Sequence, residues 1–200
     1  DSPWSLRYND FEVDTVRYPE PAKWFGKLQD NGYRVVLWMT PMVNSFSKDT
    51  RINQSEPWYN TAKDKGYLVD KDDQTRWWKG VGGFIDYTNP EAKKWLHGMQ
   101  QKVFDYGIDG WKLDGTATLL WEELGPVPFF YKRTQEGLIT TRGYMDLYYR
   151  NEYSKGLKHN PEFATLSRAM DRGYHPEGFA PIDAAPVTWV GDQEHHWESK

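Results

Sequence analysis

Short apolar-rich segments in this chain alternate with longer stretches of helical spacing. Val35-Val36-Leu37-Trp38-Met39 is continuously apolar and closes a strand read from Tyr33 to Met39, and further short strands read over Ile108 to Leu113, Phe163 to Ser167 and Val187 to Val190. A run without polar alternation predicts a parallel strand covered on both faces. The segments between them read as helices. Pro21 to Asp30 places Ala22, Phe25 and Leu28 inward with Gly32 as a stop. Asn89-Pro90-Glu91 is an N-cap, a first-turn proline and an acid at the positive helix end. Ala92, Trp95, Leu96, Met99 and Val103 then share one face. A third helix is predicted over Tyr144 to Leu157. Helices alternating with buried strands imply a parallel α/β architecture. Two stretches break the pattern, about 40–83 and 173–185. Each follows a strand, where α/β barrels carry long working loops.

No repeat or linker divides the 200 residues, so residues 1–200 read as one domain. A net charge of −4 offers no basic surface for nucleic acid. No apolar stretch approaches the roughly 20 residues needed to span a membrane, and Asp1-Ser2-Pro3-Trp4 lacks the regions of a signal peptide. The absence of cysteine excludes disulfides, thiolate catalysis and cysteine-based metal sites. The outlying feature is the 11 Trp, 13 Tyr and 9 Phe, whose flat faces suit stacking on sugar rings or filling of a core.

Several residues carry candidate chemistry. Asp114 ends the Ile108 to Leu113 run, at the strand end where barrel enzymes place catalytic groups. Lys112 points to the same side of that strand, where a cation would keep a carboxylate ionised. The same pair also fits a structural contact at a strand end. Asp192, in Trp189-Val190-Gly191-Asp192, again follows an apolar segment and equally fits turn chemistry. Arg168 ends the Phe163 to Ser167 run and can orient a hydroxyl or a carboxylate, or form a structural ion pair. Asp70-Lys71-Asp72-Asp73 lacks the glycine and glutamate of a calcium loop. Glu194-His195-His196 lacks helical metal-ligand spacing, and neither a phosphate loop nor a serine elbow is present.

Taken in order, these segments resemble family 31 glycoside hydrolases. The matching stretches are Phe11-Glu12-Val13-Asp14 with Arg17 to Pro21, Gly32 to Pro41, Gly83 to Pro90, Gly107 to Asp114, Leu166-Ser167-Arg168 and Trp189 to Asp192. The resemblance implies part of a (β/α)8 TIM barrel, about its second to sixth strands, and a larger multidomain enzyme around it. It implies a retaining exo-α-glycosidase with Asp114 as nucleophile and Asp192 as general acid/base. Lys112, Arg168, Trp38, Asp86 and Trp189 would bind substrate. Neither metal nor organic cofactor is implied. The partners would be a glycoside or oligosaccharide and the remaining parts of the barrel and flanking β domains.

Lys112 two residues before the nucleophile is similar to α-galactosidases of the related clan, so an α-galactoside is expected, with α-glucoside and α-xyloside as alternatives. A non-catalytic carbohydrate-binding domain and an inactive fragment are the other classes left open. The compartment is undetermined; periplasmic, extracellular and lysosome-like settings all occur in the family.

Overall fold

The structure, a computed structural model, describes residues 1–71, 74–115, 131–168 and 180–189. Its spine is a parallel sheet of β1 (Val36–Met39), β5 (Gly110–Leu113), β8 (Ala164–Ser167) and β9 (Val187–Thr188), side by side in that order. All four expected strands are present. Neighbouring strands succeed one another in the chain's parallel series, as the consecutive strands of a barrel do. Of the predicted last strand, Val190 lies outside the described residues.

Helices α1 (Pro21–Asp30), α3 (Pro90–Phe104) and α4 (Thr141–His159) fall where spacing predicts them. α3 begins because the Asn89 side chain accepts the amides of Glu91 (2.9 Å) and Ala92 (3.3 Å). It ends at a turn in which Gly107 adopts a φ of 77°. Its buried face is Ala92, Leu96, Met99, Gln100, Val103 and Phe104. Thr140 caps α4 by accepting the Gly143 amide at 3.1 Å. In α1 only Phe25 is buried; Ala22, expected inward, is exposed, so contact is confined to the middle turns. Trp111 on β5 anchors the core, ringed by Phe104 (5.5 Å), Phe11 (5.8 Å) and Phe163 (6.4 Å). Such aromatic pairs add about 0.5–1.5 kcal/mol each beyond area burial.

The stretch 40–83, expected as a loop, is folded. β2 (Met42–Ser47), α2 (Glu56–Asp64), β3 (Thr75–Trp77) and β4 (Gly80–Phe84) form an insertion whose antiparallel sheet has the order β2-β4-β3. Alternation fails there because β2 is covered on both faces, so its polar Asn44, Ser45 and Ser47 lie inside. Asn44 accepts the Trp77 indole N–H at 3.0 Å, and Ser45 donates to Gln74 at 2.7 Å. β4 is disguised by its glycines. A Cβ on Gly82 would collide with the Val43 carbonyl of the facing strand, so the pairing itself excludes a side chain. In the second expected loop, residues 180–185 form a turn closed by Ala184 N–H on the Pro181 carbonyl.

A hairpin that the apolar pattern did not announce, β6 (Tyr131–Thr134) and β7 (Gly137–Thr140), precedes α4. It docks on two aspartates. Asp70 accepts the Arg133 amide at 2.6 Å and pairs with Lys132 at 3.0 Å, while Asp86 accepts the Gln135 amide at 2.6 Å.

The two ends of the parallel sheet are built differently. At the N-terminal end Asp109 accepts the Val35 amide (2.8 Å), Arg34 Nη1 (3.3 Å) and Asn160 Nδ2 (3.3 Å), a purely structural clamp. At the C-terminal end the leading segment folds over β1. Trp4 Nε1 donates to the Trp38 carbonyl at 2.7 Å, and Asn9 Nδ2 donates to Thr40 Oγ1 at 2.9 Å and to the Met42 carbonyl at 2.7 Å.

Within that segment Asp10 is buried, accepts the Glu12 amide at 3.0 Å and has Arg7 Nη1 at 3.3 Å. Loss of hydration dominates, so its carboxyl is pushed up to about 6. The folded state therefore binds this proton more tightly than the unfolded chain does. The stability it contributes is complete below about pH 4 and is lost as pH rises through about 6. Asp10→Asn keeps an acceptor for the Glu12 amide without the charge. We expect it to raise stability by about 1–3 kcal/mol at pH 8, with the gain vanishing towards pH 4. Thermal unfolding of both proteins across that range checks this; an advantage independent of pH would refute it.

Candidate active site

Four successive parallel strands each deliver a residue to the same end of the sheet: Trp38 from β1, Asp114 after β5, Arg168 after β8 and Trp189 after β9. The strand ladders continue into these residues. Asp114 N–H donates to the Met39 carbonyl at 3.0 Å, and Arg168 N–H to the Leu113 carbonyl at 3.1 Å. The backbones of the carboxylate and of its basic neighbour are thus fixed by the sheet. Gly115 follows at a φ of 90°, packed so closely against Thr40 that a side chain there would collide with it.

The Asp114 carboxylate is buried and held from three directions. Its Oδ1 accepts Arg168 Nε at 2.7 Å and the Gly115 amide at 2.8 Å; its Oδ2 accepts Trp38 Nε1 at 3.2 Å. Together the three donors limit rotation of the group. Trp38 is itself immobilised. Its ring stacks on Trp77 (6.3 Å between centroids, 3° between planes) and meets the edge of Tyr8 at 5.5 Å. Tyr8 and Trp77 were not foreseen as part of this wall. Trp77 sits in the insertion whose pattern hid its strands, and Tyr8 in a segment with no periodicity.

Lys112 does not occupy the place expected of it beside Asp114. Its Nζ lies 2.7 Å from an Asp1 carboxylate oxygen and 4.9 Å from the centre of the Trp189 ring. The cation on Asp114 is Arg168, whose Cζ also lies 4.8 Å from that ring. The reason is reach. Arg168 starts on the neighbouring strand and aims its planar fork at the carboxylate, while the long Lys112 stem carries its ammonium out towards Trp189. Two cations against one indole make Trp189 an electrostatic partner of both basic residues.

Asp86 is engaged away from the Asp114 group. One carboxylate oxygen accepts Thr88 N–H (2.9 Å) and Oγ1–H (2.6 Å), and the other accepts the Gln135 amide. It is a buried hairpin anchor and has no hydrogen bond to the Asp114 group. Asp192 and the Glu194 to His196 cluster lie outside the described residues. Among the described residues no group of histidines and acids could hold a metal ion. Nor is any helix long and apolar enough to cross a membrane.

A carboxylate fixed at the C-terminal rim of successive parallel strands, beside an arginine and walled by tryptophans, is the arrangement of part of an α/β barrel. The sequence profile of the glycosyl hydrolases family 31 TIM-barrel domain matches residues 1–200, and the chain belongs to this family. An α-xylosidase from Emericella nidulans is 29% identical over 98% of this chain and 23% of its own length. An α-xylosidase from Lactiplantibacillus pentosus is 34% identical over 52% of this chain and 13% of its own. The fold also matches a Flavobacterium johnsoniae family 31 dextranase solved with glucose. The TM-score is 0.74 at 22% identity, covering 94% of this chain and 22% of that one. The chain therefore spans about a quarter or less of the length of these relatives.

Proposed function

We propose that the enzyme carrying this domain is a retaining α-glycosidase in which Asp114 is the nucleophile and Asp192 the general acid/base. The observation that carries the reading is the Asp114 carboxylate, oriented by Arg168, Trp38 and Gly115 at the end of a buried parallel strand. Asp114 attacks the anomeric carbon while Asp192 protonates the departing oxygen. Asp192 then takes a proton from water, whose oxygen displaces Asp114 and releases the sugar with its configuration retained. The mechanism requires the two carboxyl groups to stand about 5–5.5 Å apart. Arg168 holds the nucleophile, and Trp38 and Trp189 wall the sugar. Sheet edges at β1 and β9 are open among the described residues, so we assign turnover to the whole enzyme, whose further strands complete the barrel.

For the sugar we favour a terminal α-xyloside or α-glucoside over the α-galactoside suggested by Lys112. The α-xylosidase relatives support this order, as does the engagement of the Lys112 ammonium by Asp1 and Trp189. Parallel assays of the whole enzyme on aryl α-xyloside, α-glucoside and α-galactoside test it. The expected result is turnover of one of the first two with retention, and a fluorinated glycosyl fluoride should leave its label on Asp114. Preferred turnover of the galactoside would restore the Lys112 reading. Inversion, or a label on another residue, would remove the mechanism.

A further inference from the structure

The hydroxyls of α4 bear on the rim of the parallel sheet. Tyr149 Oη donates to the Arg168 carbonyl at 3.1 Å. Tyr148 Oη, one residue earlier, lies 3.4 Å from the Met39 carbonyl and 3.5 Å from the Asp114 carbonyl, and is shared between them. Both side chains are fully buried and pack on one another, with ring centres 5.0 Å apart. These carbonyls belong to the last residue of β1 and the first residues beyond β5 and β8. The Met39 carbonyl also takes the Asp114 amide, and the hydroxyls add a donor to each of these carbonyls. One helix thereby touches the backbone of the carboxylate, of its guanidinium partner and of the residue next to Trp38.

We propose that Tyr148 and Tyr149 are positioning residues for the glycosidase site, acting through the backbone of Asp114 and Arg168. The proposal rests on Asp114 being the nucleophile. The Arg168 Nε to Asp114 contact of 2.7 Å joins the tips of two side chains whose roots lie on different strands. Its length is set by how far apart the two Cα atoms are held. The ladder bond from Arg168 N–H to the Leu113 carbonyl holds the backbone on one side of the Arg168 Cα, and the Tyr149 hydroxyl holds the Arg168 carbonyl on the other. Without the hydroxyl, the Arg168 carbonyl loses a buried donor, and the backbone from which its side chain springs is held less firmly. Burial holds the Tyr148 hydroxyl in its protonated, donating form throughout the working pH range.

Tyr144 supplies the internal control. It lies on the same helix, is equally buried, and donates at 2.7 Å to the Ile85 carbonyl, which is not part of the Asp114 group. The experiment compares Tyr149→Phe, Tyr148→Phe and Tyr144→Phe in the whole enzyme, alongside Asp114→Ala. All three phenylalanine variants should lose thermal stability to a similar degree. Tyr149→Phe should also lower kcat roughly ten- to a hundredfold, the scale of small misplacements of reacting groups, with KM little changed. Tyr148→Phe should show the same split between kcat and KM more weakly and stands in for Tyr149→Phe if that variant does not fold. Tyr144→Phe should keep the parent kcat. If Asp114→Ala abolishes turnover while Tyr148→Phe and Tyr149→Phe behave as Tyr144→Phe does, the positioning role is refuted and the nucleophile stands. If Asp114→Ala retains turnover, the nucleophile assignment fails first.

Discussion

Asp114→Ala in the whole enzyme is expected to lower kcat by at least ~10⁴-fold, the scale on which loss of one member of a catalytic set acts, while substrate binding changes little. Several alternatives meet in this one variant. A carbohydrate-binding domain that works through aromatic faces would keep its affinity and never had turnover to lose. A structural aspartate would lose stability instead, since Arg168, Trp38 and the Gly115 amide are left without their acceptor. For that reason the decisive measurement is turnover per folded molecule, with Asp114→Asn beside Asp114→Ala. Asparagine retains an acceptor oxygen for the surrounding donors but cannot form the glycosyl ester. If Asp114→Asn melts with the parent protein and is as dead as Asp114→Ala, the loss is chemical. Small nucleophiles such as azide should restore turnover to Asp114→Ala with inversion, because they enter from the side that the carboxylate has vacated. Activity in either variant within tenfold of the parent would refute the assignment.

The parallel sheet was legible in the sequence because Val35 to Met39 is an unbroken apolar run and the other strands, short and mostly apolar, follow segments of helical spacing. The insertion between β1 and α3 was illegible because its strands lack that pattern. β2 is equally buried but carries Asn44, Ser45 and Ser47, satisfied inside by Trp77, Gln74 and one another. β4 is a strand whose glycines are demanded by close backbone approach. The site divides along a similar line. Asp114, Arg168, Trp38 and Trp189 stand directly at strand ends, where position in the chain fixes position in space. Lys112 was placed by strand alternation and Asp86 by resemblance, and their side chains turn to Asp1 and Trp189 in one case and to Thr88 and Gln135 in the other. The tyrosines of α4 did have a signal: Tyr144 and Tyr148 stand four apart on a helix otherwise rich in polar residues. Read only as core, they conceal that each carries a hydroxyl needing a carbonyl.

The same helix carries the largest expected stability effect. Glu152 is fully buried, yet it accepts the Tyr87 hydroxyl at 2.7 Å on one oxygen and Gln100 Nε2 at 2.7 Å on the other, with His97 Nε2 at 3.5 Å. Tyr87 comes from the turn after β4 and Gln100 from α3, so this carboxylate joins three parts of the fold. Glu152→Ala leaves the buried Tyr87 hydroxyl without its acceptor and the buried Gln100 amide with only the weak acceptor Met39 Sδ at 3.7 Å, and opens a cavity between α3 and α4. Together these should cost about 3–5 kcal/mol, as when one partner of a buried polar group is removed. That is a large part of the stability of a typical domain. The loss should appear as a large drop in melting temperature and as faster proteolysis of the domain within the whole enzyme. Glu152→Gln should lose much less, since one carbonyl oxygen still serves Tyr87 or Gln100. The stricter test replaces the group together: Glu152→Leu with Gln100→Leu and Tyr87→Phe. If the cost lies in orphaned partners, the triple variant should recover most of what Glu152→Ala loses, because no polar atom of the three remains to be satisfied. If it is no more stable than Glu152→Ala, the carboxylate contributes net attraction beyond satisfying its neighbours.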